Sequence, residues 1–251
     1  MYRDIKKGLY LPDIEGIQKT RYVKDMFGSI SPRYDFLNWI MTLGMHHKWR
    51  QTASDIACMS LSGDASSGLD IASGTGDFAF QVIEHPNVNY VVAMDLSEEM
   101  LMIAKRKYEA KKFHDDIDFF VGDVIHMPFS KAMFSFVTVG FGFRNFVDLE
   151  GSLREMTRVV KPGGNITILE IVKPEGIFMS KVFPIYFRKL TPILGALFAR
   201  NVEAYSYLPK SVRNFVTARQ IKHMMEIVGL RNVTIKELAM GSVAVISGDK
   251  I

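Results

Sequence analysis

Apolar residues recur at every third or fourth position early in the chain: Phe27, Ile30, Tyr34, Leu37, Ile40 and Met41 fall on such spacings. That period is helical, and Ser31-Pro32 interrupts it where a new helix can start. The spacing predicts a helical cap over residues 1–62. From Gly68 the pattern changes to short, nearly continuous apolar runs that alternate with amphipathic stretches, as βαβ units around a parallel sheet do. Strands are expected at residues 69–72, 90–94, 118–121, 134–139 and 165–170. Ser97 is a good N-cap, Glu98 and Glu99 fill the first turn, and Leu101, Ala104 and Tyr108 share one face, so a helix follows the second strand. Another helix is expected over 149–160, and the turn Lys161-Pro-Gly-Gly introduces the strand after it. Beyond Pro174 a hydrophobic insertion runs to about Arg200. A helix near 218–228 and two strands, 233–238 and 242–247, can then close the sheet as an antiparallel hairpin.

Composition narrows the class. The chain has 251 residues, 48% of them hydrophobic, and 31 Lys and Arg against 27 Asp and Glu leave a net charge of +4. Such a chain can bury enough apolar surface to offset its ordering entropy, so disorder is excluded. The basic residues are scattered, which argues against a nucleic-acid partner. The longest uncharged stretch, 132–143, falls short of the roughly 18 apolar residues a membrane span needs. A single cysteine, Cys58, excludes an intrachain disulfide, and scattered histidines give no metal-ligand spacing, so no metal is expected. No secretory signal is visible, and a cytoplasmic protein is expected.

Asp70-Ile-Ala-Ser-Gly74-Thr-Gly76-Asp77-Phe-Ala79 sits where the first strand meets the first helix of the α/β part, the place at which open α/β sheets bind nucleotides. Gly74-x-Gly76-x-x-Ala79 also satisfies the dinucleotide fingerprint, a weak match by itself. Two carboxylates, Asp70 and Asp77, flank the loop, and they favour a cation over a pyrophosphate. S-adenosylmethionine offers such a cation in its sulfonium and ammonium groups. Asp95, 19 residues past Gly76 at the end of the second strand, is placed to accept both ribose hydroxyls. Asp123 ends the third strand and is placed to accept from the adenine amino group. A single strand-end aspartate is as often a turn residue; three on one edge make a site.

At these residues the sequence resembles the class I methyltransferases, and within them the ubiquinone/menaquinone-biosynthesis C-methyltransferases. The resemblance covers nearly the whole chain: Val23-Lys-Asp-Met-Phe, Tyr34-Asp-Phe-Leu-Asn with Gly44-Met-His46 and Trp49, Ala72-Ser-Gly-Thr-Gly-Asp77, Phe141-Gly-Phe-Arg-Asn145, 153–164, Leu169-Glu-Ile-Val-Lys-Pro174 and Tyr205-Ser-Tyr-Leu-Pro-Lys-Ser-Val-Arg213. It implies an α/β, Rossmann-like, mostly parallel seven-stranded sheet in a single domain. The expected parts are a cap at 1–62, a cofactor core at 68–174, a hydrophobic lid at 175–216 and a closing segment at 217–251. It also implies methylation of a ring carbon of a prenylated demethylquinol, with cofactor contacts at Thr75, Asp95, Asp123 and Val124. Together with the loop itself, the candidate cofactor residues are Asp70, Ala72, Gly74, Thr75, Gly76, Asp95, Leu96, Asp123 and Val124. His47, Ala72-Ser73 and Val245-Ile246-Ser247 depart from the family's usual residues.

Methyl transfer to an aromatic carbon needs an electron-rich ring, which deprotonation of the neighbouring phenol supplies. Candidate catalytic residues are Arg144, to stabilise the phenolate, and Tyr34 and Asp77, to orient or accept the proton directly or through a water. Tyr34 also lies in an apolar stripe, and without the resemblance it reads more readily as a core tyrosine with a satisfied hydroxyl. His46 and His126 are conceivable bases, though a lone histidine is ordinarily structural. The insertion carries Lys181, Arg188, Lys189 and Arg200 on an apolar, proline-broken segment, which suits a lid over a prenyl tail in peripheral contact with an anionic membrane, or a homodimer interface. The other readings are a methyltransferase of a sterol or phenolic acid, and a scaffold that binds the cofactor without turnover.

Overall fold

Helices α1 (Ile17–Ile30) and α2 (Tyr34–Thr42) stand on either side of Ser31-Pro32, and α3 (His46–Cys58) completes the cap. The computed structural model describes residues 16–31, 34–59, 61, 66–111, 116–176, 211–212 and 215–251. Then follow β1 (Ser66–Ile71), α4 (Asp77–Ile83), β2 (Val88–Asp95), α5 (Glu98–Lys111), β3 (Asp116–Val121), β4 (Phe134–Gly140), α6 (Leu149–Val159), β5 (Val160–Ile171), α7 (Ala218–Ile227), β6 (Arg231–Leu238) and β7 (Val243–Asp249). Most of the lid expected over 175–216, with Lys181, Arg188, Lys189 and Arg200, lies outside the described residues. No described helix is long and apolar enough to cross a membrane.

The seven strands form one sheet in the order β3-β2-β1-β4-β5-β7-β6. All neighbours are parallel except β7, which runs antiparallel to both β5 and β6. The core shows why the strands read as continuous apolar runs. Val92, Met94, Val137 and Val139 pack on one face against α6 and α7, while Val91, Ala93 and Phe136 pack on the other against α3 and α4. Both faces are covered, so alternation in sequence disappears. On α6, Leu149, Leu153, Met156 and Val159 are buried at helical spacing, and Asp148 caps the helix by accepting from the Gly151 N–H at 2.9 Å. Gly68 of β1 is required by packing: a Cβ there would fall 2.1 Å from Phe136 Cζ.

Five strands begin earlier than expected, β1, β2, β3 and β6 by two or three residues and β5 by five. β5 takes the Lys161-Pro-Gly-Gly turn into itself, because Val160 pairs with Phe134 before Asn165 pairs with Phe136. The extra residues bulge from the ladder, and Gly163 donates to the Lys250 carbonyl at 2.6 Å. The strand order reverses between β1 and β4, and at the carboxyl ends of such neighbours a crevice opens.

Candidate active site

β1 ends on Asp70-Ile71, and the loop that follows is built for close approach. Ala72, Gly74 and Gly76 all have positive φ (54°, 58° and 84°). At Gly76 a Cβ would also lie 2.7 Å from Phe80 Cζ, so this glycine lets α4 start against its own core. The loop is fixed from beneath by Asp95 at the end of β2, whose Oδ2 accepts from the Gly74 N–H and whose Oδ1 accepts from the Ser97 N–H, each at 2.8 Å. At the end of β3, Asp123 accepts from the Ile125 N–H at 3.1 Å and caps a short turn that presents Val124.

These strand ends open on a cleft of about 890 Å³, continuous with solvent. Ala72, Gly74, Asp95, Leu96, Asp123 and Val124 line its core side. Thr20, Val23 and Phe27 of α1 and Tyr34 of α2 line it from the cap, and Phe141, Asn145 and Phe146 close it beyond β4. An adjoining recess of about 300 Å³ is lined by Tyr34, Arg50, Asp70, Ser73, Thr75 and Asp77 among others. The cap is tied down by Lys19, a buried cation whose Nζ donates to the Phe146 carbonyl at 3.0 Å and whose pKa burial lowers to about 8.

The two carboxylates beside the glycine loop differ. Asp70 is enclosed in the sheet, and burial raises its pKa to about 7 against the pull of the Ser73 hydroxyl and of the Thr138 hydroxyl, which donates to Oδ1 at 2.8 Å. Its Oδ2 and the Ser73 hydroxyl are both buried, near enough for Ser73 to act on the carboxyl, but neither has a partner of full hydrogen-bond geometry among the described residues. An orphaned acceptor in a polar recess fits a cationic ligand. Asp77 has partners of its own: Arg50 at 3.2 Å and Lys107 in close contact. Burial pushes its pKa up, but the two cations together hold it below the usual carboxylate range. Asp77 thus has its charge compensated by two ion-paired cations, whereas Asp70 feels the charge of Arg50 without an ion pair to it.

Tyr34 projects toward the glycine loop, its Cε1 within 3.9 Å of where a Gly74 Cβ would sit. Burial raises its pKa against a hydrogen bond with Asn38 and the charges of Arg144 and Arg50. Arg144 lines neither the cleft nor the recess. It lies beneath the loop, where its Nη1 donates to the Glu170 carboxylate and to the Phe141 carbonyl, while its backbone N–H donates to Glu170 Oε2 at 2.9 Å. Glu170 is fully buried and accepts from the Ile171 N–H as well. His46 is buried beside the Thr42 hydroxyl, and desolvation lowers its pKa to about 4, so it is a weak base.

Sequence reasoning missed the partners: Asp35, Arg50, Lys107 and Glu170. A signal existed for three of them. Asp35 and Glu170 stand inside the quoted Tyr34-Asp and Leu169-Glu stretches, and Lys107 follows Ala104 by one turn on the face of α5 that packs inward.

The Rossmann-like frame is shared with solved methyltransferases. A SAM-dependent methyltransferase from Thermotoga maritima superposes with a TM-score of 0.59 at 17% identity over 90% of this chain and 99% of that one. A Haemonchus contortus N-methyltransferase, solved with phosphomonomethylethanolamine and S-adenosylhomocysteine, gives 0.60 at 15% over 80% and 52%. Those likenesses establish the fold. Much nearer in sequence is a demethylmenaquinone methyltransferase of Deinococcus radiodurans, 39% identical over 92% of this chain and 94% of that one. The ubiquinone/menaquinone biosynthesis C-methyltransferase UbiE of Geotalea daltonii is 36% identical over 93% and 98%. The model of the ubiE/COQ5 methyltransferase family matches residues 15–250, which carry both the cap with Tyr34 and the strand ends with Asp70, Asp95 and Asp123. The chain belongs to the ubiE/COQ5 methyltransferase family, and it is a SAM-dependent methyltransferase.

Proposed function

We propose that the protein transfers a methyl group from S-adenosylmethionine to a ring carbon of a prenylated demethylquinol. One observation carries this reading: a single cleft joins strand-end acids and a glycine loop to the aromatic rings of Phe27, Phe141 and Phe146. The names of the similar demethylmenaquinone methyltransferases support the choice of acceptor. When bound, S-adenosylmethionine supplies an electrophilic methyl group on a sulfonium.

The residues divide the remaining work. Asp95 and Asp123 are assigned the ribose and the adenine, Leu96 and Val124 the apolar faces, and the Ala72–Gly76 turn with Thr75 the amino-acid end, where Asp70 offers its orphaned oxygen to the ammonium. On the acceptor side, ionising a phenol of pKa ~10 at neutral pH costs roughly 4 kcal/mol, which the site must offset. Tyr34 is held neutral by burial, so it serves as a hydrogen-bond donor that orients the phenol and does not take its proton. Asp77, kept charged by Arg50 and Lys107, is a poor proton acceptor and orders the recess. Asp70 is committed to the ammonium, which holds its carboxylate charged, so the phenol proton is passed through water to solvent. Arg144 contributes its charge from beneath the Phe141 loop, and Glu170 offsets much of it, which places its share of phenolate stabilisation at the modest end.

A prenyl tail brings the acceptor from a lipid phase, and we extend the proposal to peripheral contact of Lys181, Arg188 and Lys189 with an anionic membrane surface. Incubation with methyl-labelled cofactor and reduced demethylquinones of several prenyl lengths, with products identified by mass, tests the function. Methylated quinol is expected. Label appearing only on sterols or simple phenols, or on nothing, overturns it.

A further inference from the structure

The cleft lies between two bodies. Its floor belongs to the sheet, and part of its wall is the cap, so a ligand as large as the cofactor is enclosed only while α1 and α2 sit on the core. One cluster joins the two at the glycine loop. Asp35, next to Tyr34 on α2, accepts from the Thr75 hydroxyl at 2.6 Å on Oδ1 and from Lys107 Nζ at 2.9 Å on Oδ2. Lys107 of α5 also donates to Thr75 Oγ1 at 3.2 Å and grips Asp77, which Arg50 of α3 holds from its other oxygen.

The members of this cluster are not equally fixed. Arg50 and Asp77 have side chains only 8% and 20% exposed. At the other end, Asp35 is 44% and Lys107 26% exposed. When Asp35 withdraws, Lys107 keeps Asp77 as a counter-ion, whereas Asp35 reaches water directly, so neither charge is left stranded in a dry interior. An ion pair of that kind is weak and screened by salt, which a reversible closure needs and a structural bridge does not.

We propose that Asp35 is a positioning residue: its carboxylate, caught between Thr75 and Lys107, latches the cap onto the glycine loop, sets Tyr34 in the cleft, and limits the rate at which the cofactor enters and leaves. This rests on the cleft being the cofactor's site. Because Tyr34 and Asp35 are adjacent on one helix, the latch couples cofactor retention to the placement of the group that meets the acceptor. Thr75, in turn, reports to the cap through its hydroxyl while its backbone belongs to the loop.

The test is stopped-flow displacement of S-adenosylhomocysteine from the full chain. Asp35→Asn keeps an acceptor for Thr75 and removes only the charge facing Lys107. Release is expected to accelerate roughly three- to fivefold in this variant, the range an ion pair of such exposure supports. High salt should speed release from the parent protein and leave Asp35→Asn nearly unchanged, a response that a merely structural aspartate does not give. Lys107→Met should also speed release, and the double variant should add nothing from the Asp35 side. Quinol turnover at saturating cofactor should fall in Asp35→Asn, and Asp35→Glu should restore part of it. Unchanged release in Asp35→Asn, salt-insensitive release in the parent protein, or fully additive effects overturn the latch. The underlying reading fails separately: if Asp95→Ala binds S-adenosylhomocysteine as tightly as the parent protein, the cleft is not the cofactor's site.

Discussion

Asp70→Asn removes a charge from inside the sheet while keeping an acceptor for the Thr138 hydroxyl. Burial moves the Asp70 pKa from 3.8 to about 7. At ~1.4 kcal/mol per unit, holding this group ionised above its folded pKa costs the cofactor-free protein on the order of 4 kcal/mol. The sign follows from proton counting. A carboxyl whose folded pKa lies above its unfolded value binds more protons when folded, so its contribution to stability is complete below about pH 4 and is lost as the pH rises through about 7. In the variant that loss is absent, while an asparagine N–H facing the same spot without a partner gives back ~1–3 kcal/mol. The cofactor-free variant should therefore be the more stable protein at about pH 8, by roughly 1–3 kcal/mol, and should lose that advantage near pH 5. Cofactor binding should go the other way, at least roughly tenfold weaker at about pH 8, since a hydrogen bond to a charged group is worth ~1.5–3 kcal/mol. Scanning calorimetry across pH, with titration calorimetry using S-adenosylmethionine, measures both. A variant less stable at every pH that still binds cofactor at full strength would refute the argument.

Three further outcomes are expected. Asp95→Ala removes an acceptor of two backbone bonds and the proposed ribose contacts, and should weaken cofactor binding by roughly 1.5–3 kcal/mol by calorimetry. Arg144→Ala leaves Glu170 buried without its counter-charge and should destabilise by about 3–5 kcal/mol. Replacing both partners by Met and Leu should recover much of that loss in denaturant melts, and any turnover still missing per folded molecule measures what the Arg144 charge gives the reaction. Tyr34→Phe should lower turnover of the reduced quinol while cofactor affinity holds within about twofold; equal losses in both would make Tyr34 a packing residue.

What was legible in the sequence was whatever a local pattern can encode. The period of the apolar runs located all seven strands, and the position of Asp95 and Asp123 at strand ends put both in the cleft. The early start of β5 is not legible, because Lys161-Pro-Gly-Gly has the composition of a turn and only pairing with β4 makes it a bulge. Charge compensation was hidden for a different reason. Asp77 meets Arg50 and Lys107 across 27 and 30 residues of chain, and Arg144 meets Glu170 across 26, separations over which no spacing rule operates. An acid read singly looks like a site, and the same acid with two cations beside it is part of the frame. Asp70 has no ion pair among the described residues, because its strand neighbours in β2 and β4 are the uncharged Ala93 and Thr138 and Arg50 is bonded to Asp77 instead.

The double attachment of Arg144 to Glu170, by side chain and by main chain, makes the wall after β4 an extension of the sheet. On the opposite side α3 is packed into the core, but the polar ties of α1 and α2 include a buried lysine on one carbonyl and a half-exposed ion pair. The cleft thus has one wall of stone and one of canvas. Substitutions beneath the stiff wall should act on every acceptor alike, whereas substitutions along α1 and α2 can reshape the opening without disturbing the adenosine end. An altered choice of acceptor is therefore to be sought first at Thr20, Val23 and Phe27, residues that touch the cleft from the side that can yield.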